Sequence, residues 1–514
     1  MDTKALRQKI LDLAIRGKLV PQDPNDEPAS ALLERIRAEK QQMVKDGKLK
    51  PKDIKNDTVI FKADDNLHYE KFSDGTVKCI EDEIPFELPE GWEWTRLGCI
   101  IDVIQYGLSN SAESTGDYRL LRITDIQNGC VNWDTIPFTS TDEPEKYLLH
   151  KDDIVFARTG ATVGKSFLIT DLPYASVYAS YLIRIRLING ISANYIYHFF
   201  NSYCYWEQVT DKAVGVGQPN CNGTALRELF IPLPSQAEQN RIVPVADNLL
   251  KIVDTITSEQ ESLSELIQTT KSKILDLAIR GKLVAQDPND EPASVLLKRI
   301  RAEKEELIKQ GKIKRDKKES VIFKGDDNSY YEKVGNKLNC IDEEISFKLP
   351  EGWAFIRLKT AWELISGRDL SPSDYNDKND GIPYITGASN FKNGHVSLVR
   401  WTPVPQVITQ KGDLLLTCKG TIGEIAYNNF GKAHIARQIM AIRNNYSLNV
   451  DFLALCIEYS MTKIKQAAKG LIPGISREDI LNLVIPIPPT KEQEKICDKL
   501  KVTFSAIKHI EKAS

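Results

Sequence analysis

A stretch near the start of the chain returns almost unchanged 264 positions later. Residues 9–40 read KILDLAIRGKLVPQDPNDEPASALLERIRAEK and residues 273–304 read KILDLAIRGKLVAQDPNDEPASVLLKRIRAEK. They differ at Pro21/Ala285, Ala31/Val295 and Glu34/Lys298. A repeat of this length commits the chain to building one local structure twice. The match continues more loosely, with Val59-Ile-Phe-Lys62 against Val321-Ile-Phe-Lys324 and Leu88-Pro-Glu-Gly-Trp92 against Leu349-Pro-Glu-Gly-Trp353. Between about 94–230 and 355–484 the copies diverge, and they meet again at Ile231-Pro-Leu-Pro234 and Ile485-Pro-Ile-Pro488. Near-identity beside divergence argues for one fold doing one job on two different targets, and against uniform drift after duplication.

Bulk properties exclude several classes. The 514 residues have room for several domains with cores of their own. A mean hydropathy of −0.33 and short apolar runs leave no stretch of the ~20 apolar residues a membrane helix needs. The opening Met1-Asp-Thr-Lys-Ala-Leu-Arg7 has no secretory apolar core. The nine cysteines form no Cys-x-x-Cys and suit neither a zinc site nor a disulfide framework. The expectation is a cytoplasmic chain with no metal site and no membrane partner. A net charge of −3 announces no nucleic acid.

The repeated segments carry a helical pattern. Ser235-x-x-Glu238 and Thr490-x-x-Gln493 are helix-starting capping boxes. From the first, a seam of 3–4 spacing runs through Ile242, Leu249, Ile256, Leu263, Thr270, Leu277 and Val284. A second row holds Ala246, Val253, Gln260, Ile267, Ile274 and Gly281. Such a seam predicts a long coiled-coil helix of roughly 60 Å, with Pro244 as a possible kink or late start. Leu6, Ile10, Leu13, Gly17 and Val20 repeat its second half, and Ile496, Leu500, Thr503, Ile507 and Ile510 its first. Two arrangements follow: the terminal helices join end to end and pack antiparallel on the long helix, or each caps its own domain. The first gives an α+β, pseudo-two-fold, circular molecule with two mixed α/β domains separated by a helical spacer. Its parts are residues 1–87 (N-terminal helical region and linker), 88–234 (first mixed domain), 235–348 (long helix, side helix and linker), 349–488 (second mixed domain) and 489–514 (C-terminal helix). Side helices are expected over about 27–47 and 291–311. Their charge, like the runs at Lys48–Lys55 and Lys312–Lys318, suits either solvated surfaces or docking sites for two copies of one partner.

This organisation resembles the DNA-specificity subunit of Type I restriction–modification systems, B-type members in particular. The similar segments are residues 14–30, Leu88–Trp92, and the two Ile-Pro-x-Pro motifs followed by Glu238-Gln239 and Glu492-Gln493. The resemblance implies a non-catalytic subunit with two target-recognition domains, each reading half of a bipartite, asymmetric site in double-stranded DNA. It also implies two modification (methyltransferase) subunits docked on the spacer, with restriction (translocase/endonuclease) subunits outside them. S-adenosylmethionine, ATP and magnesium then belong to those partners, and this chain holds no cofactor. Half-sites one helical turn apart, ~34 Å, suit two reading domains on a rigid helical spacer.

Within the divergent blocks, Ile154–Lys165 and Leu414–Gly423 read as a strand, a tight glycine turn and a returning strand. They place Arg158, Thr159 and Lys419 at loop tips, where they can reach a phosphate or a guanine edge. Arg122-Ile-Thr-Asp125 and Tyr384-Ile-Thr-Gly387 precede the turns Asn128-Gly129 and Asn393-Gly394, offering Arg122, Thr124, Tyr384 and Thr386. Gln218, Asn220, Asn222, Arg437 and Gln438 complete the candidate DNA-binding set, with plain turn chemistry as the competing reading for each. Residues 95–230 hold 11 basic and 14 acidic residues, while residues 354–484 hold 15 and 11. The first block therefore lacks the charge that drives phosphate binding, which points to partners supplying much of the affinity.

Catalytic alternatives find little support. Gly160-Ala-Thr-Val-Gly-Lys-Ser166 is one residue short of a phosphate-binding loop, and its counterpart carries Glu424. No Asn-Pro-Pro-aromatic segment occurs, the six histidines lack metal-ligand spacing, and Asp316-x-Lys318 has no partner carboxylate. A stand-alone nucleic-acid enzyme and a coiled-coil scaffold with protein-binding variable domains are the competing functions.

Overall fold

The computed structural model describes residues 1–127, 129–212, 220–311, 319–392, 394–446, 448–467 and 474–513. Asn128, Asn393, Gln218 and the 312–318 run with Asp316 lie outside the described residues. The chain divides into two compact units, Met1–Gln260 and Glu261–Ser514. Each unit runs in the same order: a helix, a side helix, a small three-stranded sheet, a mixed domain and a closing helix. The helix Gln236–Ile279 closes the first unit and opens the second; its 44 residues span ~66 Å. It continues through Pro244 and ends before Gly281, short of the Val284 that the spacing suggested.

Local chemistry sets the helix ends. Asp2 caps the helix Thr3–Ile15 by accepting from the Ala5 amide at 2.9 Å. Gly17 stops it at φ +64°, where an added Cβ would sit 2.6 Å from the Pro89 ring. Gly281 does the same against Pro350, at φ +65° and 2.6 Å. Glycine is required at both on conformational and steric grounds.

In the first unit the N-terminal helix runs antiparallel to the first half of the long helix. Arg7 pairs with Asp254, and Gln260 donates to the Met1 carbonyl at 3.3 Å. In the second unit the helix Thr490–Ala513 runs antiparallel to the second half, with Lys271 and Glu511 at 2.7 Å. Of the seam residues, Ile10, Ile242, Ile496, Leu500 and Ile507 are buried, while Leu13, Leu249, Ile256, Leu263 and Ile274 are half-buried. Leu6 and Leu277 depart from the seam, at 36% and 40% exposed. Near Leu277 the helix meets a domain core rather than one partner helix. Burial there moves to Leu275, Ala278 and Ile279, as it moves to Leu11, Ala14 and Ile15 in the first unit.

The side helices, Ala29–Lys45 and Ala293–Lys309, are not wholly solvated. Leu32 and Ile36, and Leu297 and Ile300, join the mixed-domain cores of their units. Lys40 is 3% exposed; its ammonium meets Asp57 at 2.6 Å and donates to the Gly98 carbonyl at 2.9 Å.

Each mixed domain enters and leaves through one pair of antiparallel strands: Glu93–Arg96 with Phe230–Leu233, and Ala354–Arg357 with Val484–Ile487. Beyond this gate lies a four-stranded antiparallel sheet. Its order is 166–168, 154–157, 182–187, 101–106 in the first domain and 425–427, 414–417, 439–443, 363–366 in the second. A second sheet in each domain contains one parallel pair, Tyr118–Leu121 with Ser176–Tyr178 and Ile382–Ile385 with Ala433–Ile435. On each four-stranded sheet a half-buried guanidinium pairs with a buried carboxylate, Arg186 with Asp153 at 2.7 Å and Arg443 with Asp413 at 2.9 Å.

The repeated motifs converge at this gate. Trp92 donates its indole N–H to Glu238 at 2.8 Å, and Trp353 donates to Glu492 at 3.0 Å. Gly91 and Gly352 carbonyls accept from the first amides of the side helices, each at 2.8 Å. Asp26 accepts from Ser235 at 3.1 Å and from Arg241 at 2.5 Å, whereas Asp290 meets Lys495 at 3.5 Å. Burial raises the Glu238 and Glu492 carboxyls above the usual range, against the lowering effect of the indole hydrogen bonds. The hydrogen bonds to Arg241 hold Asp26 below it. The near-identical stretches thus form a socket that holds each divergent domain by both ends.

Candidate nucleic-acid interface

At the end of the four-stranded sheet formed by Tyr106, Ala157 and Leu182, backbone hydrogen bonds fix a common frame. The Arg158 amide donates to the Tyr181 carbonyl at 3.1 Å, and the Arg158 carbonyl accepts from Cys221 at 2.9 Å. In the second domain the Cys418 amide donates to Gln438 at 2.8 Å, and its carbonyl accepts from Ile475 at 2.8 Å. The bridges Thr159–Asn220 and Lys419–Gly474 extend the same match. Gly107 and Gly367 anchor the third strand, donating to Leu182 at 3.1 Å and to Ile439 at 3.0 Å. A Cβ on either glycine would fall 2.2 or 2.1 Å from a backbone carbonyl, so neither position admits a side chain. Arg158 therefore corresponds to Cys418, Thr159 to Lys419, Tyr181 to Gln438 and Tyr106 to Ser366.

The side chains on this frame differ. In the first domain Arg158 donates to the Ser180 carbonyl at 3.0 Å and lies 5.0 Å from the Tyr106 ring centre. Tyr106 and Tyr181 are 42% and 61% exposed beside it. Asn220 is exposed, whereas the Asn222 side chain caps the helix Gly223–Arg227, accepting from Ala225 at 2.9 Å. Between them burial pushes the Cys221 thiol up to about 11, leaving it a neutral packing group. Arg122 ends the neighbouring strand with its guanidinium on Asp125, at 2.7 and 3.0 Å; that hydrogen bonding raises its pKa and directs it to a turn. Thr124 is exposed on the same turn.

In the second domain the same end presents exposed Lys419, Arg437 and Gln438. It adds exposed Arg368 and Arg477, the latter donating to Ser366 at 3.3 Å. Arg437 is paired with Asp369 at 2.7 Å. Tyr384 does not belong to this surface. It is 4% exposed, its ring tilted against those of Tyr375 and His434, and its hydroxyl accepts from the Leu370 amide at 3.4 Å. Burial accordingly raises its pKa. The Thr386 hydroxyl and amide both donate to Asn390 at 3.0 Å, so this residue shapes a turn. The motif comparison that set Arg122 against Tyr384 is also shifted. The parallel strands place Leu121 opposite Tyr178 and Ile385 opposite Ile435, so Arg122 corresponds to Thr386.

The structure thus gathers Arg158, Thr159 and Asn220 in one domain, and Lys419, Arg437 and Gln438 in the other, while Arg122 is turned onto Asp125. It adds Tyr106, Tyr181, Arg368 and Arg477, which lie at or beside strand and helix ends far apart in sequence. The paired glycines at 107 and 367 are the signal that could have found the first strand end. Phosphate chemistry favours the second surface, while the first offers tyrosine, asparagine and arginine suited to base edges and sugars. Among the described residues no cluster of three or more His, Cys, Asp or Glu is placed to hold a metal ion, and no helix is long and apolar enough to cross a membrane.

The sequence model of the family described as Type I restriction modification DNA specificity domain matches residues 89–266 and 350–514. The EcoAI specificity subunit of Escherichia coli is 27% identical, with 99% of this chain and 91% of that one aligned. The EcoEI specificity subunit of Escherichia coli is 27% identical over 97% and 90% of the two chains. A solved structure described under complex assembly and conformational transition of the type I R-M system aligns with a TM-score of 0.53. That likeness has 19% identity and covers 84% of this chain and 94% of that one, and it concerns the fold. The family match covers both copies of the mixed domain and its closing helix, and the chain belongs to the Type I restriction modification DNA specificity domain family.

Proposed function

We propose that this chain is the specificity subunit of a Type I restriction–modification system, acting in the cytoplasm. Each mixed domain reads one half of a bipartite, asymmetric site in double-stranded DNA through the sheet end just described. The observation that carries this reading is one backbone frame holding two different sets of exposed side chains on two near-identical sockets. Identical sockets hold the readers alike, and different side chains give the halves different letters. The helical segments scaffold two modification subunits, with restriction subunits added to them. Methyl transfer, ATP-dependent cleavage and their cofactors (S-adenosylmethionine, ATP and magnesium) reside in those partners, and this chain is non-catalytic.

Adenine-methylation mapping tests it. DNA from cells expressing the chain with its modification subunit should carry a split motif that is absent with the modification subunit alone. Unchanged methylation in the presence of a verified complex would favour a scaffold whose variable domains bind protein.

A further inference from the structure

Each unit carries a small sheet that lies outside the residues matched by the family model: Val59–Lys62, His68–Lys71 and Val77–Cys79, then Ser320–Lys324, Tyr330–Val334 and Lys337–Cys340. One face of each serves the fold. Ile60, Glu70 and Ile80 are buried, and Glu70 grips Arg96 of the gate at 2.6 Å. Glu332 grips Arg357 at 2.7 Å in the second unit. The opposite face has no such duty, yet its central ladder repeats, and the row beside it differs at one position, Val59, Lys71 and Val77 against Val321, Lys333 and Leu338. In register across the strands stand Phe61, Tyr69 and Cys79, and Phe323, Tyr331 and Cys340. The ring pairs are 6.0 and 6.1 Å apart, inclined at 25° and 28°. Tyr69 donates to Asp65 and Tyr331 to Asp327, both at 2.8 Å. Phe61 and Phe323 are 37% and 42% exposed, and Cys79 and Cys340 are exposed. The edge strand Val77–Cys79, like Lys337–Cys340, has every residue exposed.

Charge narrows what can cover these faces. Residues 64–90 hold nine acidic and two basic residues, and residues 326–351 hold seven and three. The exposed Asp64, Asp65 and Asp82, and Asp326, Asp327 and Glu343, rim the two ladders. Such a surface repels DNA phosphates and attracts a basic protein segment. The turns between the last two strands have drifted, Phe72-Ser73-Asp74-Gly75-Thr76 against Gly335-Asn336, while the ladder has not. Turns tolerate change when the strands hold register; a solvent-facing aromatic ladder is kept in both copies for what it contacts.

We propose that the two ladders are twin docking faces, each taking one basic, apolar-faced segment of a modification subunit, one subunit per unit of the chain. The inference rests on the function proposed above, and it assigns the partner contact to these sheets in addition to any contact on the long helix. The aromatic rings supply the apolar anchor, the acidic rim sets the charge, and the open edge strand can add a partner strand.

The native thiols report directly. In the purified assembly of the full chain with its modification subunit, alkylation of Cys79 and Cys340 should slow at least tenfold relative to the chain alone. The variant F61A/Y69A should bind one modification subunit in place of two by native mass measurement. Adding F323A/Y331A should leave none at concentrations that saturate the wild type. The unfolding temperature of each variant, taken alone, checks that these solvent-facing truncations keep the fold. Two subunits on the four-fold variant, or unchanged alkylation of both thiols in a verified assembly, would overturn the proposal and leave the specificity reading intact. Failure of the wild-type chain to bind any modification subunit would remove both readings.

Discussion

At the same end of the same four-stranded sheet, the first mixed domain holds out Tyr106, Arg158, Thr159, Tyr181 and Asn220, and the second holds out Ser366, Arg368, Lys419, Gln438 and Arg477. The backbone hydrogen bonds beneath them correspond one for one. Below the sheets the correspondence becomes identity: Trp92 on Glu238 repeats as Trp353 on Glu492, and Gly17 against Pro89 repeats as Gly281 against Pro350. The comparison separates two kinds of constraint. Positions whose backbone or buried side chain closes the gate are held, and positions whose side chains face outward over a closed frame are free to differ. A domain gripped by its first and last strands can change its surface without disturbing the socket.

The comparison can be broken first at the socket. Trp92→Ala and Trp353→Ala each empty a buried indole site and orphan a buried carboxyl, so each should cost its unit ~3–5 kcal/mol. Denaturant unfolding should show comparable losses for the two; a large loss in one alone would mean the sockets are not equivalent. A smaller effect is expected on the reading surfaces. Lys419→Ala should reduce the salt dependence of DNA binding by about one phosphate contact, whereas Thr159→Ala, at the corresponding position, should leave it unchanged. Equal slopes for both variants would dissolve the distinction between a basic and a neutral reader.

The smallest effect separates Asp26 from Asp290. Hydrogen bonds to Arg241 depress Asp26 in the folded state, so its contribution is full above the unfolded value of ~3.9 and is lost as pH falls through the folded one. Asp26→Asn should therefore cost roughly 0.5–1 kcal/mol at pH 7, with the difference vanishing in strong acid. Asp290→Asn should cost less, because Lys495 stands 3.5 Å away where Arg241 meets Asp26 at 2.5 Å. Unfolding of the two variants across pH would show the reverse order if the arginine pairing were irrelevant.

Much of this was legible in the chain. The repeat located both units, Ser235 located the start of the long helix as its cap, and the Gly turns located Arg158, Thr159 and Lys419, whereas Thr490 is the first residue of its helix and not the cap that the spacing suggested. What stayed hidden depended on non-local pairing. Tyr384 stands in a run rich in threonine and glycine that reads as a surface turn, but the parallel strand carrying His434 covers it. Tyr106, Tyr181, Arg368 and Arg477 are ordinary residues at strand or helix ends far apart in sequence, and only the strand order brings them to one edge. Leu277 fits a heptad row yet is exposed, because the helix passes there from facing a helix to facing a domain core.

The most direct test uses the chain's own second copy. Replacing residues 94–230 with residues 355–484 keeps both sockets and puts the same reader on each. Methylation mapping with the modification subunit should then return a site built from two copies of the original second half-site. A motif that keeps its original first half, or changes in both halves, would contradict the account.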